Sequence, residues 1–370
     1  MSTPDAKSIR PPYRVAVWGP GSAGLAAVRE VILLPEMKLV SVLAYSESKR
    51  NVDAGTLAGK DPIGVPIITE LSKLLSARPE CVIYAARDYG DGRSIEDIVG
   101  LLEVGINVIT VLAYQYPQLR GDTVVRRIEK AAQKGRATFF ATGINPGFMF
   151  ERLAMVMSGL SNDVRCICLF EFLNCEHMPG AGTFLQLMGF GMHQVDTETT
   201  ERTAALVQSY LTQYLYFAAE KLGKRIERVE RKEAHANAPE DIVLPGIFTI
   251  RKGTVGRVSF GWTAYSDGKP FLVTQSNWYV TEKMRPAQAQ GKVNEYWIVE
   301  VEGRPSTRVS IEMFGSVDTE SSRHTDNASN LAYIGTIVPA IQAIPAVVAA
   351  APGIMSIGAP QFHWKADLRS

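Results

Sequence analysis

Neither sign of charge dominates this chain. Over 370 residues, 39 lysines and arginines stand against 38 aspartates and glutamates, a formal net charge of +1. Such a balance leaves no electrostatic footprint for nucleic acid or for an acidic membrane surface. Cysteine is scarce as well: Cys81, Cys166, Cys168 and Cys175 form no CxxC pair, and no His–x–His spacing accompanies them. The pattern reads as reduced thiols in a cytoplasmic protein, with no metal site. Cys166 and Cys168 alternate along a strand pattern and are expected on one face. No uninterrupted apolar run reaches membrane-spanning length. The stretch from Ile334 to Ile354 comes closest, but Pro339, Pro345 and Pro352 interrupt it, so a buried helical segment is expected and no membrane partner. The opening residues "MSTPDAKSIRPPYR" lack the apolar core of a signal peptide and read as a short leader over 1–12. There is no internal repeat and no low-complexity tract.

What is present is an alternation. A chain of this length, 46% hydrophobic and 21% charged, suggests two globular domains. In the first 150 residues the strand patterns "RVAVWG", "LVSVLAY", "CVIYAA", "NVITVL" and "ATFFATG" alternate with helical patterns near 22–34, 70–77, 94–104 and 122–134. Ser94 to Asp97 has capping-box spacing, and Gly105 and Gly135 stand where left-handed helix caps are wanted. Alternation of this kind predicts a parallel, doubly wound sheet. Beyond Gly147 the character changes: a strand "VRCICLFEFL", one long helix around 198–222 ended by Gly223, then β-rich stretches with Asp-Gly and Glu-Gly turns. These predict an antiparallel hairpin sheet. Polar stretches 282–294 and 315–328 read as loops. The expected fold class is α/β, a Rossmann-type doubly wound parallel sheet with an inserted α+β substrate and dimerisation domain. The expected boundaries are 13–148 for the nucleotide-binding domain, 149–328 for the insertion, and 329–370 for a helix returning to the first domain and a tail.

Gly19-Pro20-Gly21-Ser22-Ala23-Gly24 matches G-x-G-x-x-G between a strand pattern and a helix pattern. In that setting Gly19 permits a tight turn, Gly21 admits a pyrophosphate to the backbone, and Gly24 lets the helix pack closely. The free N–H groups and helix dipole at Ser22 to Gly24 would hold the phosphate charge. An NAD site usually places an acid at the end of the second strand. Here Tyr45 and Ser46 stand there, with Glu47 next and Lys49 and Arg50 close behind. Hydroxyls and cations suit a 2′-phosphate, so NADP(H) is favoured over NAD(H), with a solvated loop as the other reading of Lys49 and Arg50. Ala86, at the end of "CVIYAA", and Asn145 complete the expected cofactor contacts.

Further stretches follow in order: "AYSESKRNVDAGTLAGKDPIGVPI", "ATGINPGF" (141–148), "LMGFG" (187–191), "APEDI" and "KGTVG" (238–256), "WTAYSDGKP" (262–270) and "AIPAVVAAAPGI" (343–354). Together with "VAVWGPGSAG" they resemble the dihydrodipicolinate-reductase-like superfamily, in the subgroup of 2,4-diaminopentanoate dehydrogenase and the native amine dehydrogenases. The resemblance covers nearly the whole chain. It implies a Rossmann domain and an α+β domain enclosing a cleft, NAD(P)H-dependent hydride transfer at a C=N or C=O carbon, and a homodimer. Two departures stand out. The paired histidines of the diaminopimelate-pathway reductases are missing. So is the glutamate that the amine dehydrogenases carry just before a Tyr-Pro, since the loop here reads Val111-Leu112-Ala113-Tyr114-Gln115-Tyr116-Pro117.

Catalytic candidates follow from that gap. Tyr114 and Tyr116 either pack or donate a proton to a developing alkoxide. Asn145 orients the substrate or the nicotinamide carboxamide, or simply turns the chain. Glu171 either faces solvent or a cation, or points inward and replaces the missing carboxylate. His177 and His193 read as structural, and Trp262, Tyr265, Trp278 and Trp297 as sheet packing or an apolar pocket. The expected function is hydride transfer to or from the C=O or C=N carbon of a small, fairly apolar carbonyl, imine or amine. The competing reading is a non-catalytic NADP-binding sensor or scaffold.

Overall fold

A computed structural model of the chain describes residues 10–88, 90–176, 178, 182–193, 197–289, 295–313 and 331–358. Most of the leader, His177, the loop 315–328 and the tail beyond 358 lie outside the described residues. Six strands open the fold: β1 (Tyr13–Trp18), β2 (Met37–Leu43), β3 (Ile67–Ile68), β4 (Cys81–Tyr84), β5 (Asn107–Thr110) and β6 (Thr138–Ala141). With the C-terminal strand Gly353–Met355 they form one seven-stranded sheet. Its order is Gly353–Met355, β6, β5, β4, β1, β2, β3, and β1 pairs parallel with both β2 and β4. Val15, Ala16 and Val17 of β1 and Val82 and Ile83 of β4 are fully buried. Strands covered on both faces need such unbroken apolar runs, and the helices Ser22–Leu33 and Arg93–Glu103 connect them.

Details of capping differ from expectation. Helix Arg93–Glu103 starts from Gly92, which has a left-handed backbone, so Ser94 lies inside the helix and caps nothing. Gly105 does adopt a positive φ, of 87°. Gly135, in contrast, is the last residue of helix Asp122–Gly135, and Arg136 takes the left-handed position. Gly135 is needed for contact instead: a side chain there would meet the Leu102 carbonyl oxygen at 1.8 Å.

The second sheet is built from β7 (Asn162–Asn174), β8 (Arg228–Asn237), β11 (Val255–Ser266), β12 (Lys269–Tyr279), β13 (Glu295–Arg304) and β14 (Thr307–Glu312), beside a small pair, β9 (Ile242–Leu244) and β10 (Phe248–Ile250). Its order is β14-β13-β7-β12-β11-β8. The sheet is mixed, not purely antiparallel, because β7 enters its middle and pairs parallel with β12. Asp267 and Gly268, both at positive φ, make the expected tight turn between β11 and β12. The expected Glu302-Gly303 turn does not form. Those residues stay in β13, at a register shift, and the chain reverses at Pro305-Ser306. The long helix is two helices, Thr197–Leu211 and Gln213–Lys221, separated at Thr212.

Contacts divide the chain into two compact units. One contains the parallel sheet and gathers residues up to Thr110, Arg126–Phe140 and Ala340–Met355. The other contains the mixed sheet and gathers Val111–Val125, Ala141–Pro339 and the residues from Ser356 onward. The loop Val111–Pro117 thus belongs with the second unit, although it falls inside the span 13–148. Leu331–Ala349 is one unbroken helix despite Pro339 and Pro345, so the prolines do not interrupt it. By length and composition it is apolar enough to cross a membrane, and Ile337, Ala340, Ile341, Ile344 and Val347 on it are buried in the fold.

Candidate functional site

In the first unit the glycine motif forms a turn whose shape is set by backbone contact. Gly19 has φ +92°, and a Cβ there would lie 2.4 Å from the Cα of Ala86. At Gly24 a Cβ would lie 2.1 Å from the Gly19 carbonyl oxygen. At Gly21 a Cβ would meet nothing within 4 Å. Gly19 and Gly24 are therefore required by the protein's own packing, and Gly21 faces open space. Among the described residues the N–H groups of Ser22, Ala23 and Gly24 have no protein acceptor, and the first intrahelical bond runs from Leu25 to Gly21 at 2.8 Å. Unpaired N–H groups at the positive end of a twelve-residue helix suit an anion, and a dinucleotide pyrophosphate fits that donor set.

Around the end of β2 the residues are more committed than their sequence suggests. Lys49 donates to the carbonyl oxygen of Pro20 at 2.6 Å, which draws its cation to the glycine turn. Arg50 is engaged by Glu47 at 3.2 Å and Glu70 at 2.5 Å. The neighbouring Thr69 hydroxyl and the Arg50 guanidinium hold the Glu47 carboxyl below its usual range. Ser46 and Ser48 pair through their hydroxyls at 2.7 Å. Tyr45 donates its hydroxyl to Asp97, which also accepts from Tyr84 at 2.8 Å. Burial and the Asp97 carboxylate both push the Tyr45 phenol well above its ordinary pKa. Asp53 stands in no sequence motif that marks it out. Its carboxylate accepts from the backbone N–H groups of Thr56, Ile63, Gly64 and Val65 and so folds the loop after β2.

The second unit holds a buried acid. Glu171 lies mid-strand in β7, opposite Ser276 of β12 and Trp297 of β13, so the three share one sheet face. It is 8% exposed. Its Oε1 accepts from the Asn145 amide at 3.0 Å and the Trp297 indole at 3.2 Å, and its Oε2 accepts from the Trp278 indole at 3.1 Å. Among the described residues no lysine, arginine or histidine pairs with it. Neutral donors do not balance a carboxylate's charge, so a carboxylate held only by them is complementary to a cation. Thus Asn145 and Glu171 come together, with Trp278 and Trp297 as their frame. Of the two remaining tryptophan-cluster members, Trp262 is buried, while Tyr265 bonds Glu230 on the other side of the sheet.

The two tyrosines of the loop part company. Tyr114 is buried, with the Arg120 guanidinium 4.2 Å over its ring. Tyr116 donates its hydroxyl to Glu220 at 3.0 Å and stacks on Tyr216. Burial and Glu220 raise its pKa to about 12. Its proton is already placed, so the structure does not group Tyr116 with Asn145 and Glu171. His193 is exposed in a turn. Among the described residues no group of acids, cysteines and histidines is arranged to hold a metal.

No family model matches the chain. An amine dehydrogenase of Streptomyces virginiae is 25% identical over 348 residues, which cover 91% of this chain and 93% of that protein. The likeness to that amine dehydrogenase thus runs along nearly the whole chain. Its fold agrees: the structure of an amine dehydrogenase from Mycobacterium smegmatis superposes with a TM-score of 0.73 at 18% identity, over 95% of this chain and 97% of that one. Scyllo-inositol dehydrogenase from Lactobacillus casei, solved with NAD(H) and scyllo-inositol, follows at a TM-score of 0.53 and 13% identity, over 96% and 93%. These likenesses show the fold, a Rossmann-type parallel sheet with an added mixed-sheet unit.

Proposed function

We propose that the protein is an NAD(P)-dependent oxidoreductase that interconverts a small, fairly apolar amine with its imine and carbonyl. The observation that carries this reading is Glu171: a buried carboxylate, held by one amide and two indole N–H groups, with no cationic side chain paired to it among the described residues. Such a group stabilises an ammonium or iminium nitrogen, and the surrounding aromatic rings favour an apolar substituent. Asn145 holds the carboxylate's Oε1 and fixes which face it presents. The cofactor supplies or accepts the hydride. Gly21 and the N–H groups of Ser22 to Gly24 would receive its pyrophosphate.

NADP(H) is the favoured form. Support comes from the end of β2, where Glu47 is paired with Arg50 and no free acid stands at Tyr45-Ser46. The Ser46 and Ser48 hydroxyls beside Lys49 suit a 2′-phosphate, while Arg50 is tied to two glutamates and drops out of that role. Four free thiols fit a cytoplasmic protein. A homodimer belongs to this reading, its contact placed on the other face of the mixed sheet, where Gln275, Gln288, Glu300 and Arg308 line a depression beside Phe170. No nucleic-acid or membrane partner belongs to this reading.

A second reading, ketone reduction without ammonia, is favoured by the neutrality of the loop Val111–Pro117, with Tyr114 beneath Arg120 as proton donor. One assay separates the two. Nicotinamide oxidation is followed with a panel of ketones, with and without ammonium. Dependence on ammonium, lost in Glu171→Gln, supports the amine reading. Equal rates without ammonium, lost in Tyr114→Phe, support the ketone reading. Nucleotide binding without turnover would instead favour a sensor.

A further inference from the structure

Glu151 is the second buried acid among the described residues, and nothing above uses it. It lies in a stretch of π-helix, Met149–Ala154, just past the Asn145-Pro146-Gly147 turn, and is fully buried. One carboxyl oxygen, Oε2, accepts the Gly147 N–H at 2.9 Å, and the other, Oε1, has no donor among the described residues. Three further buried oxygens on adjoining segments share that condition: Gln115 Oε1, Thr142 Oγ1 and Asn145 Oδ1.

The segments touch. The Gln115 amide donates to the Thr142 carbonyl at 3.3 Å. Gly147 packs so closely on the same stretch that a Cβ would meet the Gly143 nitrogen at 2.3 Å and the Thr142 carbonyl carbon at 2.8 Å. Asn145, in the same turn, uses its amide nitrogen on Glu171. A single turn therefore has one buried carboxyl on its Gly147 nitrogen and the other on its Asn145 side chain. Buried oxygens left without protein donors call for a partner that brings protons, such as water.

We infer that Glu151 stores the proton exchanged with the substrate nitrogen at Glu171, reached through water held on Gln115, Thr142 and Asn145. The inference rests on the amine reading above. The step is R–NH3⁺ + Glu151–COO⁻ → R–NH2 + Glu151–COOH. One N–H bond breaks and one O–H bond forms, each relaying water takes one proton and gives one up, and no electrons are transferred. In the reductive direction the proton returns to the product amine. Burial raises the Glu151 carboxyl to about 7, a value at which it both takes and gives a proton near neutrality. The charged and titratable neighbours are Arg152 on its own segment, Tyr214 on the packed helix, and Glu171 on β7, which acts on the same Tyr214. The neutral Trp297 is what β13 brings to the Glu171 end.

The test is the pH profile of amine oxidation. In the wild-type protein kcat should rise with pH through an inflection near the Glu151 value. Glu151→Gln, which can still accept the Gly147 N–H, should lose that limb and lower kcat by about a hundredfold with KM little changed. Glu151→Asp should restore part of the rate. Without nucleotide or substrate, an infrared titration should show a protonated carboxyl band near the same pH that is absent from Glu151→Gln. Should Glu151→Gln fail to fold, the wild-type titration and Thr142→Val decide, the latter expected to slow kcat while leaving the carboxyl band in place. Amine turnover with the inflection intact in Glu151→Gln, or no such band in the wild type, overturns the proton store and leaves the amine reading standing. Absence of any amine or ammonium-dependent turnover in the wild type overturns both.

Discussion

At the scale of single residues, the glycine turn separates ligand contact from packing. Gly21→Ala adds a methyl group where no protein atom lies within 4 Å. Its melting temperature should match the wild type, while NADPH binding weakens by about tenfold because the pyrophosphate is kept from the backbone. Gly24→Ala drives a Cβ onto the Gly19 carbonyl and should lower both stability and affinity, stability by about 1–3 kcal/mol. Calorimetric titration with thermal unfolding of both variants checks the pair, and equal affinities in wild type and Gly21→Ala would remove the pyrophosphate from this turn. Across the second unit, Tyr116→Phe should leave kcat within about twofold, since its hydroxyl is spent on Glu220. Glu171→Gln should lower kcat/KM for an amine by about a hundredfold, because an amide cannot balance a cation.

At the scale of elements, local chemistry was readable and long-range register was not. The strands β1, β2, β4, β5 and β6 carry β-rich apolar runs, and the Asp267-Gly268 turn carries its own conformational preference, so these were legible, whereas β3, two residues long, and the strand Gly353–Met355 were not. Ser94 misled because Gly92, at φ 81°, starts the helix earlier and leaves the serine inside it. The insertion of β7 beside β12, parallel, depends on partners about a hundred residues apart in sequence, and no local pattern encodes it. That same register sets Trp297 and Ser276 opposite Glu171. One trace did exist: a lone acid in "CICLFEFL" has to find buried partners or face water. Glu151, alone in "GFMFERLAM", left the same trace and was missed. At this scale Asp53→Ala should loosen the loop after β2, where four backbone N–H groups share one carboxylate. Hydrogen exchange at Thr56 and at 63–65 should accelerate, and unchanged protection would show that the loop holds without it.

For the whole molecule, Glu151 ties stability to pH. Its folded carboxyl binds a proton more tightly than the unfolded one, at about 7 against an ordinary 4.5. The stabilisation is complete below the unfolded value and is lost as pH rises through about 7, on the order of 3 kcal/mol in all. Glu151→Gln should therefore melt higher than the wild type at about pH 8.5 and alike at about pH 4. A difference independent of pH would place the effect in packing. The central claim, that this fold handles an amine nitrogen at Glu171, has its most direct test in a single measurement. Purified protein is given NADPH and a panel of small apolar ketones, and nicotinamide absorbance is followed as ammonium is added. The account predicts oxidation that requires ammonium and disappears in Glu171→Gln; turnover indifferent to ammonium, or to that substitution, would contradict it.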